Sequence, residues 1–145
     1  MPQKNKNEDG LKRTINDVEI TDPLVLECGE TLTKHEIIYE TYGELNESRS
    51  NAVLICHALS GNHHAAGLNE NGVSGWGDNY IGPGKPIDTN LFHVISITNI
   101  GSCFGSTGPA TINKATGKFW GASFPALEVS DWVKSQKMLM DVLKI

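Results

Sequence analysis

The amino-acid sequence predicts an α/β fold that holds the N-terminal strands and the first crossover helix of a mostly parallel sheet. Two apolar runs rich in β-branched residues, 52–56 and 91–100, have the length and composition of buried strands. A third segment, beginning at Asp131, has the 3.6-residue apolar period of a helix. A parallel strand is expected after such a helix, and the sequence stops at Ile145 before one begins. We therefore expect an incomplete sheet.

Composition and charge narrow the class of protein. The chain has 145 residues, of which 39% are hydrophobic and 20% charged, as in one ordinary globular domain. Residues 1–21 are polar and lack apolar periodicity, so a disordered tail is expected there, with the domain at 22–145. The net charge of −5 argues against a nucleic-acid partner. No apolar run approaches the ~20 residues that cross a bilayer, so we expect no membrane contact and a cytoplasmic location.

The first strands follow the tail. Leu24–Cys28 and His35–Tyr42 have strand composition and are separated by a short turn, which predicts an antiparallel hairpin between them. Ala52–Cys56 follows as a central strand. The segments 53–56 and 94–97 are expected to be buried on both faces of the sheet.

Two loops and one helix complete the prediction. Residues 61–88 are dense in Gly, Pro and Asn but hold apolar anchors such as Trp76, which predicts a long ordered loop. Residues 101–125 form a second loop rich in helix breakers. Ser130 is the predicted N-cap of the helix, and Asp131 favours the positive end of its dipole.

The cysteines and histidines do not indicate a metal site. Cys28, Cys56 and Cys103 form no C-x-x-C pair, so we expect three reduced thiols, with Cys28 and Cys56 as small buried hydrophobic residues. His57 lies near the pair 63–64, but their spacing matches no standard zinc pattern. Neither a metal nor a resident cofactor is expected.

Cys103 offers one alternative chemistry. Gly101-Ser102-Cys103-Phe104-Gly105 has the form G-x-C-x-G after a strong strand, which resembles a nucleophile elbow with a thiol. An elbow needs a helix directly afterwards, and Gly108 and Pro109 fall within the first turns of any such helix. A small thiol hydrolase built on Cys103 therefore remains an alternative. No G-x-S-x-G occurs in the sequence.

Leu59 is the candidate site residue. In an α/β-hydrolase one oxyanion donor comes from the residue after the nucleophile and the other from the loop after the third strand. Counted from Leu24, the strand at Ala52 is the third. The backbone N–H of Leu59 then lies where the second donor is expected, and its side-chain type matters little.

Six separated segments of the sequence form a set of motifs in a fixed order. They are Glu27-Cys28-Gly29-Glu30-Thr31-Leu32, Tyr39-Glu40-Thr41-Tyr42-Gly43, Cys56-His57-Ala58-Leu59-Ser60-Gly61, Ile81-Gly82-Pro83-Gly84-Lys85-Pro86-Ile87-Asp88-Thr89, Cys103-Phe104-Gly105-Ser106-Thr107-Gly108-Pro109 and Phe124-Pro125. Together they resemble the homoserine O-acyltransferases of methionine biosynthesis, within the homoserine O-acetyltransferase family. The resemblance covers about residues 22–145.

The resemblance implies an α/β-hydrolase fold that transfers an acyl group from acyl-CoA, as co-substrate, to the hydroxyl of L-homoserine through a serine acyl-enzyme. It implies a homodimer, and it assigns Leu59 to the oxyanion hole. The family's catalytic Ser, Asp and His have no counterparts here, so the chain resembles an N-terminal portion and is expected to be inactive alone. The acetyl or succinyl donor and the homoserine or serine acceptor stay open. A non-enzymatic fragment that pairs with a partner through its open sheet edge is a further alternative.

Overall fold

The computed structural model describes residues 4–6 and 10–145. Short strands and long connections dominate the described chain, which ends in one long helix. The elements are β1 Lys4–Lys6, β2 Lys12–Ile20, β3 Leu24–Val25, β4 Thr31–Leu32, β5 His35–Tyr42, β6 Ala52–Ile55, β7 Ile81–Gly82, β8 Ile87–Asp88, β9 His93–Ile97, β10 Ile112–Asn113, β11 Lys118–Phe119, a 3-10 turn Gly121–Ser123 and α1 Val129–Leu143.

Strand β2 corrects the predicted tail. The segment 12–20 is a nine-residue strand that lies between β1 and β5, so the prediction of a disordered segment over 1–21 is wrong there. Pairing with the neighbouring strands defines this element. Most of its side chains are polar, so no apolar pattern indicates a strand there. The rest of the predicted tail includes residues 1–3 and 7–9, which lie outside the described residues.

The largest sheet among the described residues has the strand order β1-β2-β5-β9-β6. Strand β5 pairs with β9 antiparallel, and β6 pairs with β9 parallel. The sheet is thus mixed over this part of the fold, whereas the sequence predicted mostly parallel strands. A parallel pair needs a long crossover, and here the connection from Cys56 to Phe92 provides it with two two-residue strands and no helix.

The first hairpin is shorter than predicted. Leu24–Val25 pairs with Thr31–Leu32, whereas His35–Tyr42 joins the large sheet, so the predicted pairing of the two longer segments is wrong. The reason is a tight turn, which the Leu26 N–H closes by donating to the Glu30 carbonyl at 2.9 Å. Gly29 within it has φ +89°, a conformation that favours glycine.

The chain divides into two compact units. The first contains Met1–Asn16 and Tyr39–Ile97, and the second contains Asp17–Ile38 and Thr98–Ile145. The buried core of the first unit is formed by Leu11, Tyr42, Ala65, Ala66, Ile81 and Val94. The buried core of the second unit is formed by Leu24, Leu26, Leu32 and Ile100, with Trp120, Phe124, Leu127, Trp132 and Met138 packed against it.

Burial separates the two strands predicted as central. Val94–Ile97 is buried as predicted. All four residues of β6 are only half-buried, and Cys56 after it is exposed, so the expected two-sided burial of 53–56 is wrong. Strand β6 lies at the end of the strand order, and β9 is its one partner strand within the described ranges, which leaves its other edge open there.

Helix α1 begins two residues earlier than predicted. Its N-cap is Glu128 rather than Ser130, and a capping box joins Glu128 to Asp131. In the described part of the chain, no helix has both the length and the apolar character needed to cross a membrane.

Candidate active site

A β-turn built around Leu59 follows β6. The Gly61 N–H donates to the Ala58 carbonyl at 2.7 Å, which makes Leu59 and Ser60 the central residues of the turn. The hydrogen bond of the turn leaves both central N–H groups unused, and no acceptor among residues 10–145 bonds the Leu59 N–H. The Leu59 side chain is 84% exposed. The turn therefore presents a backbone donor just beyond the carboxyl end of a strand, which is what an oxyanion site requires.

The shape of this turn depends on Gly61. A Cβ atom added at Gly61 would lie 2.7 Å from the Cβ of His57, so a larger residue would force the turn open. His57 also closes it from the other side, because its ring Nδ1–H donates to the Ala58 carbonyl at 2.6 Å. The local sequence thus holds the turn in one conformation.

The chain beyond the turn, residues 62–67, is fixed by a neighbouring loop. The indole N–H of Trp76 donates to the Asn62 carbonyl at 2.9 Å. A Cβ atom added at Gly75 would lie 2.3 Å from the carbonyl carbon of Ala65, so the two backbones approach closely only because residue 75 is glycine. This packing makes the long loop ordered, as its apolar anchors predicted.

A buried polar network lies beneath the same segment. Its centre is Glu40, which is only 1% exposed. The Tyr42 hydroxyl donates to Glu40 Oε2. The same hydroxyl oxygen accepts the N–H groups of Ala65 at 2.8 Å and Ala66 at 3.1 Å. One side chain of strand β5 thereby satisfies two consecutive backbone donors of the loop.

His64 joins the network through both ring nitrogens. Its Nδ1 lies 3.2 Å from Glu40 Oε2 and its Nε2 lies 3.0 Å from the Val73 carbonyl, and both oxygens favour a proton on the facing nitrogen. Arg13 Nη1 donates to the Leu68 carbonyl at 2.9 Å. It also lies 3.4 Å from His64 Nδ1, and its positive charge opposes a charged ring.

The pKa values follow from these contacts. The hydrogen bond to Glu40 raises the pKa of His64 above its usual range, although burial opposes the shift. Burial, together with the charge of Glu40, raises the pKa of Tyr42, which keeps its hydroxyl protonated. Burial lowers the pKa of His63, whose Nε2 lies 4.0 Å from Glu40 Oε1. The network therefore joins a buried acid, a histidine whose pKa is raised and a phenol that keeps its proton.

The thiols and the histidines do not form a second site. Cys28, Cys56 and Cys103 are all unpaired and exposed, so the expected burial of Cys28 and Cys56 is wrong. Cys28 lies in the hairpin turn and Cys56 directly after an edge strand, where no layer covers them. No helix begins within residues 104–113, as the sequence predicted, so Cys103 lacks the helix that an elbow needs.

Across the described ranges, no group of three or more His, Cys, Asp or Glu side chains is arranged to hold a metal ion. His57, His63 and His64 instead make the local contacts described above.

The second unit contains an open cavity of about 650 Å³. Its lining includes Lys114, whose ammonium group lies 2.5 Å from carboxylate oxygens of both Glu19 and Glu36. Buried His35 also lines it, and its Nε2 lies 3.1 Å from the Ser135 hydroxyl. The His35 Nδ1 is buried without a hydrogen-bond partner in the described structure, and burial lowers the His35 pKa to about 4. These contacts explain how a histidine is kept neutral in the core.

Sequence reasoning did not find the Glu40 network. The segment 39–43 was recognised only as part of the family motif, and Glu40 received no role. A glutamate two residues before a tyrosine shares its face of the strand, and that spacing is the signal that could have indicated a buried acid with a phenol donor.

The chain is similar in sequence to homoserine O-succinyltransferases, and similar in structure to an esterase and a homoserine O-acetyltransferase. A homoserine O-succinyltransferase of Cellvibrio japonicus is 58% identical over 130 residues, which cover 88% of this chain and 34% of that protein. The crystal structure of esterase E22 superposes with a TM-score of 0.82 and 37% identity, over 92% of this chain and 38% of that chain. The crystal structure of a homoserine O-acetyltransferase from Bacillus anthracis superposes with a TM-score of 0.82 and 36% identity, over 92% of this chain and 37% of that chain. No family model matches.

The fold is therefore a partial α/β-hydrolase fold, in agreement with the predicted class. The chain is homologous to the homoserine O-acyltransferases, which confirms the resemblance that the motifs indicated. It spans about a third of the length of the relatives it matches.

Proposed function

We propose that the protein to which this chain contributes transfers an acyl group from acyl-CoA to the hydroxyl of L-homoserine, through a serine acyl-enzyme. The observation that carries the proposal is the β-turn at Leu59, in a chain 62% identical over 125 residues to a homoserine O-succinyltransferase of Hahella chejuensis. The Leu59 N–H would stabilise the oxyanion formed when the acyl carbonyl is attacked, once by the serine and once by the homoserine hydroxyl.

Succinyl-CoA is the donor that we propose. Its support is the name shared by the matched relatives, homoserine O-succinyltransferase, at 58% and 62% identity. The 145-residue chain alone is proposed to be inactive, since it contains no G-x-S-x-G motif. A cytoplasmic homodimer is part of the same proposal, by analogy with the family.

A chimera tests this function directly. Residues 22–145 would replace the matching third of the Hahella chejuensis relative, with that unmodified relative as the positive control. Release of CoA thiol is measured with succinyl-CoA or acetyl-CoA, with and without homoserine. We expect homoserine-dependent release that is faster with succinyl-CoA by at least tenfold. A folded chimera that releases no CoA in the presence of homoserine would refute the acyl-transfer proposal.

Hydrolysis is the second candidate, and the similarity to esterase E22 favours it. With acyl-CoA as the substrate, the CoA thiol leaves in the first step, and water in place of homoserine then releases the acyl group as the carboxylic acid. The same assay separates the two functions, because hydrolysis releases CoA at the same rate when homoserine is omitted.

A further inference from the structure

Tyr42 connects a strand of the sheet to the chain that follows the oxyanion turn. It is fully buried, and its hydroxyl accepts hydrogen bonds from the Ala65 and Ala66 N–H groups at 2.8 and 3.1 Å. Both alanines are also fully buried, so neither N–H group could find water instead. The loop position is therefore tied to the position of one phenol oxygen.

Glu40 and His64 fix the direction of that oxygen. The Tyr42 proton goes to Glu40 Oε2, which leaves the lone pairs of the hydroxyl for the two loop amides. His64 donates to the same carboxylate oxygen at 3.2 Å, and its own backbone N–H donates to the Asn62 side chain at 2.8 Å. Residues 62, 64, 65 and 66 are thus linked through one carboxylate to strand β5.

We propose that Tyr42, oriented by Glu40 and His64, is a positioning residue for the Leu59 turn. The turn and the tied segment are continuous in the chain, and both belong to the same compact unit. By holding the segment after the turn, Tyr42 keeps the Leu59 N–H directed at one point while charge develops on the acyl oxygen. This role rests on the proposed acyl transfer and acts through Leu59.

Two variants and a control test the role. Tyr42→Phe keeps the ring and removes the oxygen, and His64→Gln removes the imidazole ring that contacts Glu40. Tyr80→Phe is the control, since Tyr80 lies in the same unit but is 63% exposed. Amide exchange at Gly61, which reports closure of the turn, is measured in the 145-residue chain. The kcat and the KM for homoserine are measured in the chimera.

We expect Tyr42→Phe to speed Gly61 exchange and to lower kcat, each at least tenfold, with KM changed less than twofold. His64→Gln should act in the same direction, and Tyr80→Phe should have no effect. Unchanged Gly61 exchange and unchanged kcat in a folded variant would overturn the proposal, as would an equal rise in KM. If Tyr42→Phe fails to fold, His64→Gln decides. An unmodified chimera without acyl transfer refutes the proposed function instead, and the exchange measurement then decides whether Tyr42 holds the turn.

Discussion

Glu40 is a carboxylate that the fold removes almost completely from water, with Tyr42 and His64 as its donors. Because Glu40 raises the pKa of His64 above 6.5, the charged pair stabilises the folded state fully below pH 6.5. That contribution is lost as the pH rises through the raised pKa of the folded state. We expect the urea midpoint to fall over this range in the wild-type chain. In Glu40→Gln the fall should be smaller, and an equal fall would contradict the assignment.

His35 predicts a pH dependence of the opposite sign. Burial lowers its pKa from 6.5 to about 4, so the unfolded chain binds the proton first as the pH falls. A shift of this size corresponds to about 3 kcal/mol of stability lost between those two values. His63 and His93 shift in the same direction, so the variant His35→Gln is needed to isolate the effect. As the pH is lowered from 6.5 to about 4, the urea midpoint of His35→Gln should fall less than that of the wild-type chain. An equal fall in the two proteins would exclude His35 as the source of the pH dependence.

The oxyanion role of Leu59 stays a prediction, and the turn around Leu59 lies directly after β6. The position of Leu59 followed from counting strands and from the family motif, although the count missed β2. Glu40 was not predicted as a buried acid, because the sequence cannot show that a tyrosine two residues away and a histidine in a distant loop converge on it. The prediction that Cys28 and Cys56 are buried was wrong, because composition does not show which turns and sheet edges are exposed to solvent.

At the scale of elements, Asp131 joins the start of helix α1 to another segment. It is fully buried, and its carboxylate accepts the Glu128 N–H at 2.9 Å and the Glu27 N–H at 3.0 Å. Asp131→Ala would leave both backbone donors without an acceptor, which should cost about 3 kcal/mol. Asp141→Ala, on the exposed face of the same helix, should change stability by less than about 0.5 kcal/mol. Equal midpoints in thermal unfolding of the two variants would contradict this account of the cap.

Elements with strong periodicity were predicted well, and those defined by pairing were not. The helix and the strands at 35–42 and 93–97 matched their apolar patterns. Strand β2 was missed because most of its side chains are polar. Its strand conformation depends on backbone pairing with neighbouring strands, which apolar patterns do not show. The first hairpin was mispaired because the turn begins within the predicted strand, where the Leu26 N–H bonds the Glu30 carbonyl, so that 31–32 already pair with 24–25.

At the scale of the whole molecule, the fold holds the Leu59 turn and the network beneath it in one unit. The open edge of β6 and the match to about a third of each relative are consistent with a larger α/β-hydrolase sheet. The overall class was predictable because several motifs occur in the family order. The mixed strand directions were not, since pairing direction depends on contacts between distant segments.

Deleting the Leu59 N–H tests the role of this turn most directly. Proline is favoured at the first central position of a common β-turn, so Leu59→Pro removes the donor with little cost to the turn. Leu59→Ala keeps the donor and serves as the matched control. In the acyltransferase chimera we expect Leu59→Pro to lower kcat by about 100-fold to 1000-fold, as for other oxyanion donors, while Leu59→Ala retains activity. A folded Leu59→Pro chimera with kcat close to that of Leu59→Ala would contradict the oxyanion role.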